Sequence, residues 1–121
     1  MKLETIDYRA ENSAQQFVES LRETGFGVLS NHPIDKRLVE DIYTEWQAFF
    51  NSEAKNDYMF KKETHDGFFP ASISETAKGN TVKDIKEYYH VYPWGRIPDS
   101  LRTNILAYYD KANALAAELL E

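Results

Sequence analysis

Glu23-Thr24-Gly25-Phe26-Gly27-Val28-Leu29-Ser30-Asn31-His32-Pro33-Ile34 reads as the end of a helix, a short buried strand over 26–29 and a tight turn into a second helix. Upstream, Ser13 is placed to cap a helix over 14–24. Its Ala14, Phe17, Val18 and Leu21 share one apolar face, and Gly25 supplies a left-handed exit. Downstream, Asn31-His32-Pro33 turns the chain and Asp35 caps the next helix, with Ile34 and Val39 as a hydrophobic staple across its start. Leu38, Val39, Ile42, Tyr43, Trp46, Phe49 and Phe50 recur at helical spacing in a wide stripe, so this helix is the expected main packing element.

Further along, Asn51-Ser52-Glu53-Ala54-Lys55 starts a short helical turn with Ser52 as its cap. Asp66-Gly67 signals a turn before Phe68-Phe69-Pro70, and Lys78-Gly79-Asn80 marks another before a strand over 82–92. In that strand Ile85, Glu87, Tyr89 and Val91 share one face, while Lys86, Tyr88, His90 and Tyr92 share the other. Pro93-Trp94-Gly95 breaks it. A last helix opens at Pro98-Asp99-Ser100, with Leu101, Ile105, Tyr108, Ala112, Leu115 and Leu119 on one face. Its periodicity still runs at Glu121, with no glycine, asparagine or proline to close it, so the expectation is a piece of a longer protein. No repeat, low-complexity run or linker divides residues 1–121, and they are taken as one unit.

At 121 residues and 42% apolar content the chain is long enough and apolar enough to bury a core. Its 14 basic and 20 acidic residues form no block of like charge, which argues against nucleic-acid or membrane-surface partners. The absence of cysteine excludes disulfides and thiolate metal sites. No apolar run approaches the ~18 residues of a membrane span, and a cytoplasmic location is the default expectation.

The opening stretch resembles the "GF-hydrophobic-hydrophobic-x-NH-G-I" segment of the isopenicillin N synthase-like non-haem dioxygenases, which are iron(II)/2-oxoglutarate-dependent. Three further segments follow in the family's order. Phe49-Phe50-Asn51-Ser52-Glu53-Ala54-Lys55 is similar to its "FF-x-x-x-x-K" helix end, His65-Asp66-Gly67-Phe68-Phe69-Pro70 to its "GY-x-P" turn, and Asp84-Ile85-Lys86-Glu87-Tyr88-Tyr89 to its "D-x-KE-x-aromatic" strand. The fold class the resemblance implies is α/β (α+β): N-terminal helices plus a few strands that would complete a double-stranded β-helix, or jelly roll. For the full-length protein it implies Fe(II) and 2-oxoglutarate as cofactors, and hydroxylation, desaturation or cyclisation of a small-molecule substrate. It implies none of these for the fragment alone. Pro33 stands where the family has glycine, which fixes φ and removes a donor without forbidding a turn. His65 and Phe69 stand where isopenicillin N synthase has substrate-binding arginine and tyrosine, so substrate identity does not carry over.

A non-haem iron site of this type needs two histidines and one carboxylate on one face of the metal. The family's His-x-Asp/Glu pair is missing: His32 precedes Pro33-Ile34, His65 precedes Asp66-Gly67, and His90 precedes Val91-Tyr92. Its Arg-x-Ser pair for 2-oxoglutarate is missing too, so no metal-binding or catalytic residue is assigned. The candidates for a substrate-pocket wall are His65, Phe69, Tyr88 and His90. Each has a blander reading, His65 as a solvated loop histidine and His90 as a strand residue facing either a barrel cavity or water. His32 is read as a turn residue bonding nearby backbone, the Tyr43, Trp46, Phe49 and Phe50 stripe as core, and Lys61-Lys62 as a solvated pair. Asp84 and Glu87, three apart on a strand, point to opposite faces and cannot share a substrate.

Two functional classes remain. One is the N-terminal part of an oxygenase, supplying packing support and one wall of the pocket. The other is a free-standing, non-catalytic binding domain derived from this family, whose open barrel-facing surface binds a partner or itself. Oligomeric state separates them: a truncated piece should self-associate irregularly, whereas an evolved binding module should form one defined species.

Overall fold

The computed structural model describes residues 2–73 and 86–121. These form two compact units, Met1–Leu38 with Tyr108–Glu121, and Val39–Ala107.

In the first unit, β1 (Thr5–Asp7) and β2 (Val28–Ser30) pair in parallel, with Ile6 opposite Leu29. Parallel neighbours need a crossover, supplied by helix α1 (Ser13–Thr24). Ile6 is the buried residue of β1. The C-terminus of α1 is as expected: Gly25 takes φ 80° and its N–H bonds the Leu21 carbonyl. The N-terminus is not, because Ser13 is the first helical residue and Asn12 precedes it without a side-chain cap bond. The strand also lies further along than expected, since Phe26 remains outside it and 66% exposed. Its register is tied down by Asn31, whose amide donates to Asp7 Oδ1 at 3.0 Å across the two strand ends.

Helix α2 (Lys36–Phe50) begins where Asp35 predicts, the carboxylate accepting the Arg37 N–H at 2.9 Å. Asp35→Ala is expected to cost about 1 kcal/mol, the usual value of such a cap. A urea midpoint unchanged by the substitution would show that the bond contributes nothing. Ser52 takes the N-cap position of the 3-10 turn Glu53–Tyr58, as expected, but makes no side-chain cap bond there. Its hydroxyl donates to the Phe49 carbonyl at 2.7 Å, satisfying an end carbonyl of α2 instead.

The core of the second unit is Phe49, Ile97 and Leu101, with Trp46, Phe50, Tyr58, Tyr89, Val91, Ile105 and Leu106 packed on it. Most of the aromatic stripe is therefore core, but Tyr43 is 75% exposed. Strand β3 (Gly67–Phe69) pairs antiparallel with β4 (Tyr88–His90). Of the strand predicted over 82–92, residues 82–85 lie outside the described residues, as does the Lys78-Gly79-Asn80 turn; within the described 86–92 the strand is three residues long, Tyr88–His90. Helix α3 (Asp99–Leu119) starts as predicted, Leu101 being its buried anchor at 1% exposure. Leu106 joins the core, while Tyr108 is exposed rather than packed. Among the described residues no helix is long and apolar enough to cross a membrane.

Candidate functional site

Alternation along β3 and β4 sorts their rings onto two faces. Phe68, opposite Tyr89, belongs to the core face, with Phe50 6.1 Å from Phe68 and Trp46 5.1 Å from Tyr89 between ring centroids. Phe69, opposite Tyr88, belongs to the other face, and the two rings stack at 4.5 Å and 12°. His90 lies opposite Gly67, which has no side chain, and the Phe69 ring fills that place at 4.5 Å from the imidazole. The Tyr88 and His90 rings are 5.3 Å apart. The row continues at one end through Phe60, 4.3 Å from Phe69, to His65, 6.4 Å from Phe60. At the other it runs through Tyr92, 6.3 Å from His90, to Trp94, stacked on Tyr92 at 4.5 Å. Thus the four candidates His65, Phe69, Tyr88 and His90 fall on one continuous row of rings, with both imidazoles exposed. Lys86 Nζ sits 5.2 Å from the Tyr88 ring centroid, in cation–π range. Tyr88 also borders a groove of about 360 Å³ lined by Ile42, Trp46, Phe50, Tyr89 and Val91.

Two residues absent from the sequence-based candidates organise this end of the unit. The Asp66 carboxylate, 1% exposed, accepts the Arg96 backbone N–H at 2.6 Å, Arg96 Nε–H at 3.0 Å and the Thr64 hydroxyl. Arg96 also donates through Nη2 to the Met59 carbonyl at 2.8 Å and to the Asp66 carbonyl at 3.3 Å. Burial pushes the Asp66 carboxyl up, but the Thr64 hydroxyl, the Arg96 N–H groups and the Arg96 charge outweigh it and hold the pKa at about 2. Tyr89 donates its hydroxyl to the Arg96 carbonyl at 2.5 Å, and burial raises its pKa to about 12 despite the nearby Arg96 charge. The signal available in sequence was Asp66-Gly67, which reads only as a turn. Nothing local to Arg96 marks it as the partner thirty residues away.

The other singled-out residues have structural surroundings. His32 Nδ1 accepts the Ile34 N–H at 3.2 Å, the backbone bond expected of it. Glu87 pairs with Lys55 at 3.2 Å, while Asp84 lies outside the described residues. Lys61 and Lys62 are both exposed. Among the described residues, no three histidine, aspartate or glutamate side chains come together as a metal-ligand set. His65 and His90 stand at separate positions in a row of carbon rings rather than converging on a carboxylate, so the described residues do not fit an iron centre.

The profile of the family described as "non-haem dioxygenase in morphine synthesis N-terminal" matches residues 2–111, and the chain belongs to that family. Jasmonate-induced oxygenase 1 of Arabidopsis thaliana is 27% identical over 104 aligned residues, covering 76% of this chain and 25% of the plant protein. A crystal structure of a Shewanella oneidensis protein provisionally named an oxygenase is 80% identical, with a TM-score of 0.88 over 100% of this chain and 42% of that one. A full-length Neurospora crassa protein, solved in complex with alpha-KG and thymine, shares the fold at a TM-score of 0.71 and 21% identity, over 95% of this chain and 45% of its own. The chain thus spans a quarter of the plant relative and less than half of either solved structure.

Proposed function

We propose that this chain is the N-terminal part of an iron(II)/2-oxoglutarate-dependent oxygenase acting on a small molecule, and that its ring row forms part of the substrate pocket. The observation that carries the pocket role is the row from His65 to Trp94, which keeps two imidazoles and the outer ring, 69% exposed in Trp94, open along the β3–β4 pair and its flanking loops. Apolar walls with a few placed polar groups are what small-molecule pockets offer. The core face behind it provides packing support. The strands would complete a jelly roll, and the iron ligands and the 2-oxoglutarate-binding pair would be carried outside residues 1–121. The names of the plant and Shewanella relatives, and the alpha-KG bound by the Neurospora protein, support this reading.

The test uses the full product of the gene encoding this segment, supplied with Fe(II) and 2-oxoglutarate. Small molecules are screened for those that stimulate release of carbon dioxide. With a stimulating compound, His65→Ala and His90→Ala are each expected to raise its half-saturating concentration by roughly tenfold, a loss of about 1.4 kcal/mol. The value for 2-oxoglutarate should stay unchanged. Unchanged affinity and turnover in both variants would remove the pocket role; no iron-dependent turnover at all would overturn the oxygenase assignment.

A further inference from the structure

Among the described residues, two that are not glycine adopt left-handed backbone: Asn31 at φ 54° and His65 at φ 61°. Asparagine tolerates this region, and Asn31 gains a bond to Asp7 there. Histidine too is found in this region more often than most residues, but the His65 imidazole is exposed, with the Phe60 ring 6.4 Å away between centroids. Such a conformation persists only where its surroundings over-determine it, and it concentrates at functional sites.

The surroundings of His65 do so. Its N–H donates to the Lys61 carbonyl at 2.8 Å, and the carbonyl of the preceding residue, Thr64, accepts the Trp94 Nε1–H at 3.2 Å. Both sides of the peptide unit entering His65 are therefore held. On the leaving side, the Asp66 carboxylate is clamped by Arg96, and the Asp66 carbonyl accepts both the Lys61 N–H at 3.1 Å and Arg96 Nη2. The backbone is thus anchored before and after His65, while its imidazole is left open at the end of the ring row.

We propose that Asp66, Arg96 and Trp94 are positioning residues that hold His65 in its left-handed conformation, so that the imidazole is preset as a hydrogen-bond partner for a polar group of the substrate. This rests on the pocket reading of the same face. Presetting lowers the ordering cost that a free loop side chain would impose on binding.

The experiment is histidine-selective NMR on the full chain, which requires neither iron nor substrate. It therefore fails or succeeds independently of the turnover test. Trp94→Phe keeps a ring on Tyr92 but removes the indole donor, and Asp66→Asn weakens the clamp. In both folded variants the His65 imidazole resonances should broaden or split into several conformers. His65→Gly, which fits a positive φ, should be more stable than His65→Ala by about fivefold or more in the folding equilibrium. Asp66→Asn is the variant at risk of unfolding, and Trp94→Phe, at an exposed position, keeps the test decisive. A single unshifted His65 signal in Trp94→Phe, or His65→Gly no more stable than His65→Ala, overturns the proposal.

Discussion

Gly67→Ala is expected to destabilise the protein by about 3–5 kcal/mol, combining steric overlap with backbone strain. A Cβ at this position would lie 2.6 Å from the Tyr58 carbonyl oxygen, 3.0 Å from the Met59 carbonyl oxygen and 2.7 Å from Arg96 Nη2. Two of those neighbours are backbone and cannot rotate away. The third already bonds Met59 and Asp66 and cannot move without breaking both contacts. In addition φ is +117°, a region that side-chain-bearing residues rarely adopt. Gly25→Ala is the control, with φ +80° but nothing within 4 Å, and it should cost only about 1 kcal/mol. Urea unfolding followed by near-ultraviolet circular dichroism measures both. Equal losses in the two variants would mean that the close approach at Gly67 is absent in solution.

The second large effect is Arg96→Met, which removes the cation while leaving Asp66 buried. Here the carboxylate keeps the Thr64 hydroxyl and the Arg96 backbone N–H but loses its counter-charge; breaking one partner of a buried pair typically costs about 3–5 kcal/mol. That is a large share of the ~5–15 kcal/mol available to a domain. The pH dependence identifies the cause. In the unmutated protein the Asp66 pKa is depressed from 3.8 to about 2. Its contribution, about 2 kcal/mol by linkage, is fully present above pH 3.8 and is lost as pH falls through about 2. In Arg96→Met the guanidinium bond and charge are gone while the Thr64 hydroxyl and the Arg96 backbone N–H remain, so the carboxyl moves up from about 2 and the variant is protonated first as pH falls. The difference between the two proteins should therefore narrow as pH falls towards about 2. A difference independent of pH would show that the loss comes from packing of the arginine stem rather than from the stranded carboxylate. In the double variant Asp66→Asn with Arg96→Met, the losses should be markedly less than additive.

The fold was most legible where one short-range physical rule acts alone. Gly25 closes α1, Asp35 opens α2 and Pro98-Asp99-Ser100 opens α3, each through a contact within a few residues. The period-2 alternation likewise separates Tyr88, His90 and Tyr92 from Tyr89 and Val91, as the packing does. The alternation says nothing about which face is core, because both carry rings; the placement of Trp46 and Phe50 decides it. Local rules failed where a longer-range partner competed. Ser52 takes the cap position of the 3-10 turn, but its hydroxyl is oriented to donate to the Phe49 carbonyl at the end of α2 and makes no cap bond. Tyr43 has the spacing of a core residue but falls at the margin of the stripe, where its hydroxyl-bearing ring stays in water.

The candidate site was half legible for the same reason. Four of its rings were named from sequence, and they share a face. The group that organises them, Asp66 with Arg96, was not, because an ion pair across thirty residues leaves no periodic or spacing signal.

The central claim, that these residues are the N-terminal region of an iron(II)/2-oxoglutarate-dependent oxygenase, is tested most directly by reading the source gene past the codon for Glu121. The expected result is an open frame of ~150 or more further residues, a domain's worth, carrying His-x-Asp/Glu, a distal histidine and Arg-x-Ser. A stop codon directly after Glu121 would contradict it and leave a non-catalytic binding domain as the better reading.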